Sequence, residues 1–340
     1  MKKIIFILLT TFLVTTSNNA QDSGGKFSGY MFGDYYYVVK NHDESLVDLH
    51  GYQFRRIYFT YDYKIDNAWS TRLRLEMGNK FGIDKGVKMS SFVRDAYLKY
   101  KIGLQSIILG ISPTPTWKIV EKIWGYRSVE KTPLDIQKMG GSRDFGLAAE
   151  GYFNTAKSFG YSVMFSNGSS TKQETNRGKS GMASISWKPN KSLIFELYGD
   201  YFDKKGSTDW ITLQGFAAYV SKNFRVGLQY ANQTREINED KSNKFNIASA
   251  FLTGRINKNF GYLLRADKMF EANPKGNDIA YIPFSEDAAS TLLIAGLDWS
   301  PVKGVSIIPN IEYVLYDKTE SGVTIENDMF ARLTFYWKFK

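Results

Sequence analysis

Catalysis needs groups that can transfer a proton, attack a carbon or hold a metal, and this chain offers few. His42 and His50 are its two histidines, and it has no cysteine. Neither histidine stands with a second general base in a spacing that hydrolytic chemistry uses. No glycine-rich phosphate loop, zinc spacing or calcium loop occurs, and Asp200 and Asp203 lack the remaining ligand positions. We therefore expect no catalytic residue, no bound metal and no cofactor. What the chain does carry is fixed charge. Arg56, Arg72, Arg74 and Lys99, with Arg332 near the C-terminus, alternate with apolar residues, and Asp144, Glu150, Glu196, Asp200, Asp267 and Glu312 do the same elsewhere. A second group, Lys118, Glu121, Lys122 and Arg127, sits in the one stretch that reads as helix. Charges fixed along a wet wall sort solutes by sign and leave them unchanged.

The elements that place these charges read as strands. From Lys26 onward, segments of about ten residues alternate apolar and polar side chains, the pattern of a transmembrane barrel strand. Short separators at 66–67, 101–103, 154–157, 189–191, 221–223, 257–259 and 300–304 alternate with longer polar ones at about 41–49, 79–90, 113–141, 168–178, 203–208, 235–243, 271–287 and 318–325. That asymmetry predicts an all-β, antiparallel, up-and-down transmembrane barrel of about 16 strands, with tight periplasmic turns and longer extracellular loops. A barrel of that width encloses water. In WSTRLRLEMG, Trp69, Leu73, Leu75 and Met77 oppose Arg72, Arg74 and Glu76. A mid-strand arginine facing lipid costs about 2–4 kcal/mol, so the arginines point inward. The same phase puts Arg56, Tyr58 and Thr60, and Asp95, Tyr97 and Lys99, inside. The segment 244–255 shows no clean phase. Tyr63, Trp69, Trp187, Tyr219, Trp299 and Trp337 cluster near the short turns, as an aromatic belt would. Two readings of the lumen follow: a basic wall on strands two to four and the last strand facing a more acidic one, or arginines paired locally with Asp62, Glu76 and Asp95.

The exception to strand is 113–141, PTPTWKIVEKIWGYRSVEKTPLDIQKMGG. Lys118, Glu121 and Lys122 gather on one side of a 3.6-residue period, with Trp117, Ile119, Val120, Ile123 and Trp124 around the rest. Thr132-Pro133-Leu134-Asp135 predicts a second short helix with a threonine cap, ended by Gly140-Gly141. As the third and longest extracellular loop, the insert is expected to fold inward. Trp117, Val120 and Trp124 would then rest on the inner wall, and Lys118, Glu121, Lys122 and Arg127 would line the pore constriction.

Residues 1–20 read as an export signal: Lys2 and Lys3, the apolar run 4–14, then polar residues and Ala20. No later run approaches the roughly 18 apolar residues of a membrane-spanning helix. The formal net charge is +10 with Lys2 and Lys3 the only charges in the signal, which leaves +8 for residues 21–340. An exported chain rarely meets nucleic acid, so the excess reads as a field for anions.

The segments 54–76 (FRRIYFTYDYKIDNAWSTRLRLE), 90–102 (SSFVRDAYLKYKI) and 109–151 (LGISPTPTWKIVEKIWGYRSVEKTPLDIQKMGGSRDFGLAAEG) resemble the Bacteroidetes-type porins grouped with the phosphate-selective porins O and P. The resemblance covers about residues 26–153. It implies an outer-membrane channel of sixteen strands, an inward third loop and a homotrimer; barrel-assembly machinery would insert it among outer-membrane lipids. The arginine ladder of the phosphate-selective members does not map onto this sequence. The sequence thus predicts a passive diffusion channel for small hydrophilic solutes, with mild anion preference. The alternative is a plugged barrel serving a structural or binding role.

Overall fold

The computed structural model describes residues 24–78, 88–204, 208–238 and 241–339. The predicted signal at 1–20, most of the predicted loop 79–90 and parts of the predicted loops 203–208 and 235–243 lie outside them. The chain forms sixteen strands: β1 Gly24–Lys40, β2 His50–Lys64, β3 Trp69–Gly78, β4 Ser90–Ile102, β5 Gln105–Pro113, β6 Arg143–Tyr152, β7 Phe159–Ser166 and β8 Ser180–Trp187. They continue as β9 Leu193–Phe202, β10 Trp210–Val220, β11 Phe224–Asn238, β12 Lys241–Arg255, β13 Phe260–Met269, β14 Ser290–Trp299, β15 Val305–Tyr316 and β16 Asp328–Phe339. Each pairs antiparallel with its neighbours in sequence, and β1 pairs with β16 from Gly29↔Phe339 to Lys40↔Met329, so the sheet closes with no free edge. The predicted short and long connections alternate around the two rims. One differs from expectation: β11 and β12 run on to Asn238 and Lys241, so the predicted loop 235–243 is mostly ladder.

The outer face carries the apolar half of each strand. Leu109, Leu147, Phe165, Leu197, Leu213, Leu228 and Leu297 are all exposed. A continuous exposed band of leucine and phenylalanine costs free energy in water and none against hydrocarbon. Among the described residues no helix is long and apolar enough to cross a membrane; the apolar band lies on the strands. At the short-turn rim, Trp69 packs against Tyr100, Trp187 against Phe195 and Tyr219 against Phe224, in keeping with the aromatic belt the sequence predicts.

Inside, the molecule differs from a simple water-filled tube. Two connections on the long-loop rim fold into the lumen. The first is 114–142 between β5 and β6, carrying α1 Lys118–Trp124 and α2 Pro133–Ile136; the second is the segment between β13 and β14. Trp117, Val120, Trp124, Leu134, Ile136 and Met139 from the first, and Ile279, Ile282 and Phe284 from the second, pack on Phe216, Phe245, Ile247, Phe251 and Leu263 of the wall. This explains the unresolved phase of β12. Its inward residues Phe245, Ile247 and Phe251 are apolar because they receive a packed loop, while Ala248, Ala250 and Leu252 face outward, so alternation vanishes in the middle of the strand.

Candidate functional site

α1 starts without a side-chain cap at Trp117 and stops at Gly125, whose φ of 74° lets its N–H bond the Glu121 carbonyl. The helix lies against β10 and β11, and α2 against β12. Trp117, Val120 and Trp124 are buried while Lys118 and Lys122 are exposed. The Trp124 ring meets Phe251 edge-on at 5.4 Å, and its Nε1–H donates to the Glu130 carbonyl at 2.9 Å. In α2 the predicted cap and stop differ in detail. Thr132 occupies the cap position but makes no side-chain cap bond, and the helix ends by Gln137, with Lys138 in the left-handed region at φ 54° ahead of the two glycines.

The expected constriction residues divide into two groups. Lys118 bonds Glu150 of β6, which also accepts from Lys99 of β4 at 3.0 Å, so the insert and the wall share one carboxylate. Lys122, exposed, has no ion pair among the described residues. Both lysines border a cavity of about 500 Å³ at the short-turn rim, lined also by Lys99, Lys101, Lys157 and Lys188. Its acids are Glu150 and Glu196, and the Glu196 carboxylate, almost fully buried, has no hydrogen-bond partner. Positive charge is therefore in excess there. Glu121 and Arg127 lie on the other side of α1. Arg127 reaches Glu121 at 3.4 Å and Asp135 at 3.7 Å, stands over the Phe32 ring at 5.9 Å, and borders a second cavity of about 510 Å³ with Arg225 and Arg255. Desolvation in the lumen opposes the Arg127 charge, but Asp135, Tyr58, Glu121 and Glu130 outweigh it and hold the guanidinium above its ordinary pKa.

On the wall, the arginines take local partners. Arg56 pairs with Glu76 at 2.7 Å, Arg72 with Asp62 at 2.6 Å, and Arg74 with Asp95 at 3.5 Å. Arg332 stands apart from them, fully buried between Asp34 at 3.1 Å and Glu312 at 3.0 Å, with Tyr281 of the second inward segment accepting from it. The acids of the far wall fare differently: Arg265 grips Asp267 and Arg255 pairs with Asp298, while Asp144 and Asp200 accept backbone N–H groups and Glu196 stays without a hydrogen-bond partner among the described residues.

Three further arginines belong to this network, and strict alternation misses two of them. The β1–β2 register passes from Phe32↔Arg56 to Gly33↔Phe54, leaving Arg55 as an extra residue, and the β3–β4 register passes from Arg74↔Asp95 to Leu75↔Val93, leaving Arg94. Each β-bulge turns two consecutive charged residues to one side. Arg55 then meets Asp34 at 3.1 Å and Glu130 at 3.2 Å, and Arg94 meets Glu76 at 3.2 Å. The signal was present in the sequence: in FRRIYF and FVRDAY two charges stand side by side mid-strand, and perfect alternation would have left one in lipid. Arg143, at the first residue of β6, completes the set on Asp95. Beside this network Lys131 is buried among Asp135, Glu130, Arg56 and Arg127, and burial pushes its ammonium down to about 8.

Among the described residues no group of acids and histidines is arranged to hold a metal. His42 hydrogen-bonds Asp328 at 2.9 Å and His50 hydrogen-bonds Tyr35 at 2.9 Å, each tying a loop or rim to a neighbouring strand. No protein-family model matches the sequence, and no curated protein does. Solved structures do. The anion-selective porin of Comamonas acidovorans is 12% identical with a TM-score of 0.67, over 94% of this chain and 100% of that one. The outer-membrane channel DcaP of Acinetobacter baumannii is 14% identical with a TM-score of 0.64, over 95% and 99%. OmpT of Vibrio cholerae, an outer-membrane protein solved in a trimer form, is 11% identical with a TM-score of 0.63, over 93% and 99%. At these identities the likeness is one of fold: a full-length barrel of porin architecture.

Proposed function

We propose that this protein is an outer-membrane porin, a passive diffusion channel for small hydrophilic solutes with mild anion preference, phosphate among the candidate anions. The observation that carries the reading is a closed sixteen-strand barrel, apolar outside, whose lumen holds paired charges on β2–β4 opposite an inward-folded loop. The fold shared with the anion-selective porin and DcaP supports the class. Within this reading Lys118, Glu121, Lys122 and Arg127 form the constriction, and Arg56, Arg72, Arg74, Lys99 and Arg332 belong to the lumen wall. The anion preference comes from the lysines in excess at the short-turn vestibule, because the wall arginines are matched by acids and contribute little net field. The signal at 1–20 would direct export, and the trimer form of OmpT supports a homotrimer. Purified protein in a planar bilayer under a salt gradient should give an anion-selective reversal potential; a cation-selective value would sink the preference.

A second reading rests on a specific observation. The apolar core formed by the two inward segments against β10–β14 fills part of the lumen, as expected of a barrel plugged for a structural or binding role. Single-channel current separates the two: a diffusion channel gives steady openings, a plugged barrel almost none.

A further inference from the structure

Three cations from three separate parts of the chain converge on one indole at the long-loop end of the lumen. Trp210 opens β10 and pairs with Arg235 of β11; the neighbouring Thr212 and Gln233 are buried while Ile211 and Leu213 are exposed, so both side chains point inward. Arg235 lies 4.4 Å from the centre of the Trp210 ring, Lys275 of the second inward segment 4.7 Å, and Lys204, two residues past β9, 5.0 Å. Any two of these charges are then within about 10 Å, the screening length at 0.1 M salt. Lys138 of the first insert joins them, its carbonyl 3.4 Å from the Arg235 guanidinium.

Among the described residues neither Arg235, Lys204 nor Lys275 has an ion pair, and Lys138 has only the well-exposed Asp278 at 4.0 Å. Arg235 donates to the neutral Gln233 side chain and to a carbonyl, and Lys204 to the Gly168 carbonyl. The strain registers in the lysines: burial, then Arg235, Lys138 and Lys204, push Lys275 below its ordinary pKa, with Asp278 opposing. Burial pushes Lys204 down as well, against the pull of Asp144, Asp200 and Glu174. This contrasts with Arg56, Arg72, Arg74 and Arg332, each of which takes a carboxylate. Half-buried, like charges around a single ring repel one another, and the ring quadrupole offsets only part of that.

We propose that Lys204, Arg235 and Lys275, with Lys138 and floored by Trp210, bind a compact doubly charged oxyanion of the sulfate or phosphate-monoester type, free in solution, on the long-loop side of the lumen. A planar guanidinium fork and converging ammonium groups supply the donors that tetrahedral oxygens accept. A dianion neutralises charge that chloride could offset only in part. Trp210 and Arg235 face the lumen and not the apolar outer face, which selects a dissolved ion over a lipid headgroup.

The test is calorimetry on the purified full-length barrel in detergent, titrating sodium sulfate at constant ionic strength against sodium chloride, then sodium phosphate. Saturable sulfate and phosphate binding above the chloride background is expected, at least tenfold weaker in the K204Q/K275Q variant and unchanged in K258Q, which alters an exposed lysine on the short turn between β12 and β13. The single variant K275Q removes a side chain that makes no hydrogen bond or ion pair among the described residues, so it should fold normally and weaken binding about threefold. The absence of saturable binding, or equal affinity in wild type, K275Q and the double variant, overturns the site. Binding is read without current: a barrel that binds but does not conduct removes the channel reading alone, and one that conducts without binding removes only this site.

Discussion

Trp124 is the residue that most clearly docks the first inward segment, and replacing it measures how firmly that segment is held. Its side chain is 1% exposed and touches Phe251, Tyr126 and the Arg265 guanidinium besides donating to the Glu130 carbonyl. Truncating a buried tryptophan to alanine costs about 3–5 kcal/mol, a figure that includes the lost contacts and the void left behind. The barrel ladders do not depend on it, so the loss falls on the docking equilibrium of 114–142. At a factor of ten per 1.4 kcal/mol, local opening should become about 10²- to 10⁴-fold more frequent. Hydrogen exchange of the amides between 117 and 139 reads that opening directly, and trypsin cleavage after Lys131 and Lys138 reports it independently. Trp124→Phe keeps most of the packing and removes the Nε1–H bond, worth about 1 kcal/mol, so its exchange should rise only about fivefold. Unchanged exchange in Trp124→Ala would refute the docking argument, and so would loss of the barrel strands at the same rate as the loop.

Deleting 117–138 should raise single-channel conductance severalfold while the barrel still assembles, checked by conductance and by heat-modifiable gel mobility; unchanged current would place the segment off the solute path. Lys122→Glu reverses an exposed charge that has no ion pair among the described residues, so the reversal potential should move toward cations with little change in melting temperature. Lys118→Glu should do more than shift selectivity, because Lys118 shares Glu150 with Lys99 and a second carboxylate there would repel it; a lower melting temperature than in Lys122→Glu checks this. Burial lowers the His42 pKa, but the Asp328 hydrogen bond and charge outweigh it and hold the imidazole above its ordinary value. A raised folded pKa stabilises fully below the unfolded value of about 6.5 and the benefit fades as pH rises through the folded value. Wild type should therefore exceed His42→Gln in melting temperature at pH 5.5, with the gap narrowing toward pH 8; a gap independent of pH would rule out the charge.

Much of the architecture was legible because it repeats. Strand phase in WSTRLRLEMG and LIFELYGDYF, the alternation of short and long separators, and the single helical insert each follow from a local rule. Where two demands met in one strand, legibility failed. β12 presents Phe245, Ile247 and Phe251 to a packed loop and turns Ala248, Ala250 and Leu252 outward, so no alternation survives in the middle of the strand. At Arg55 and Arg94 the extra residue of a bulge breaks the count, although the paired charges themselves marked the spot. The segment between β13 and β14 reads as a polar loop, yet Ile279, Tyr281, Ile282 and Phe284 are buried in the lumen.

The sequence by itself determined the class of molecule, the strand count, the face each regular strand turns to lipid, and the inward insert. These depend on period and on the cost of charge in hydrocarbon, which each segment meets alone. Only the tertiary structure decided how the lumen is used: that the wall arginines are spent on neighbouring acids, that Arg332 is buried with Asp34 and Glu312, and that Arg235, Lys204 and Lys275 share one tryptophan. The physical reason is distance. These charges are tens to hundreds of residues apart in the chain, and which of them meet is fixed by barrel closure, by register and by two loops folded through the lumen, none of which any one segment encodes.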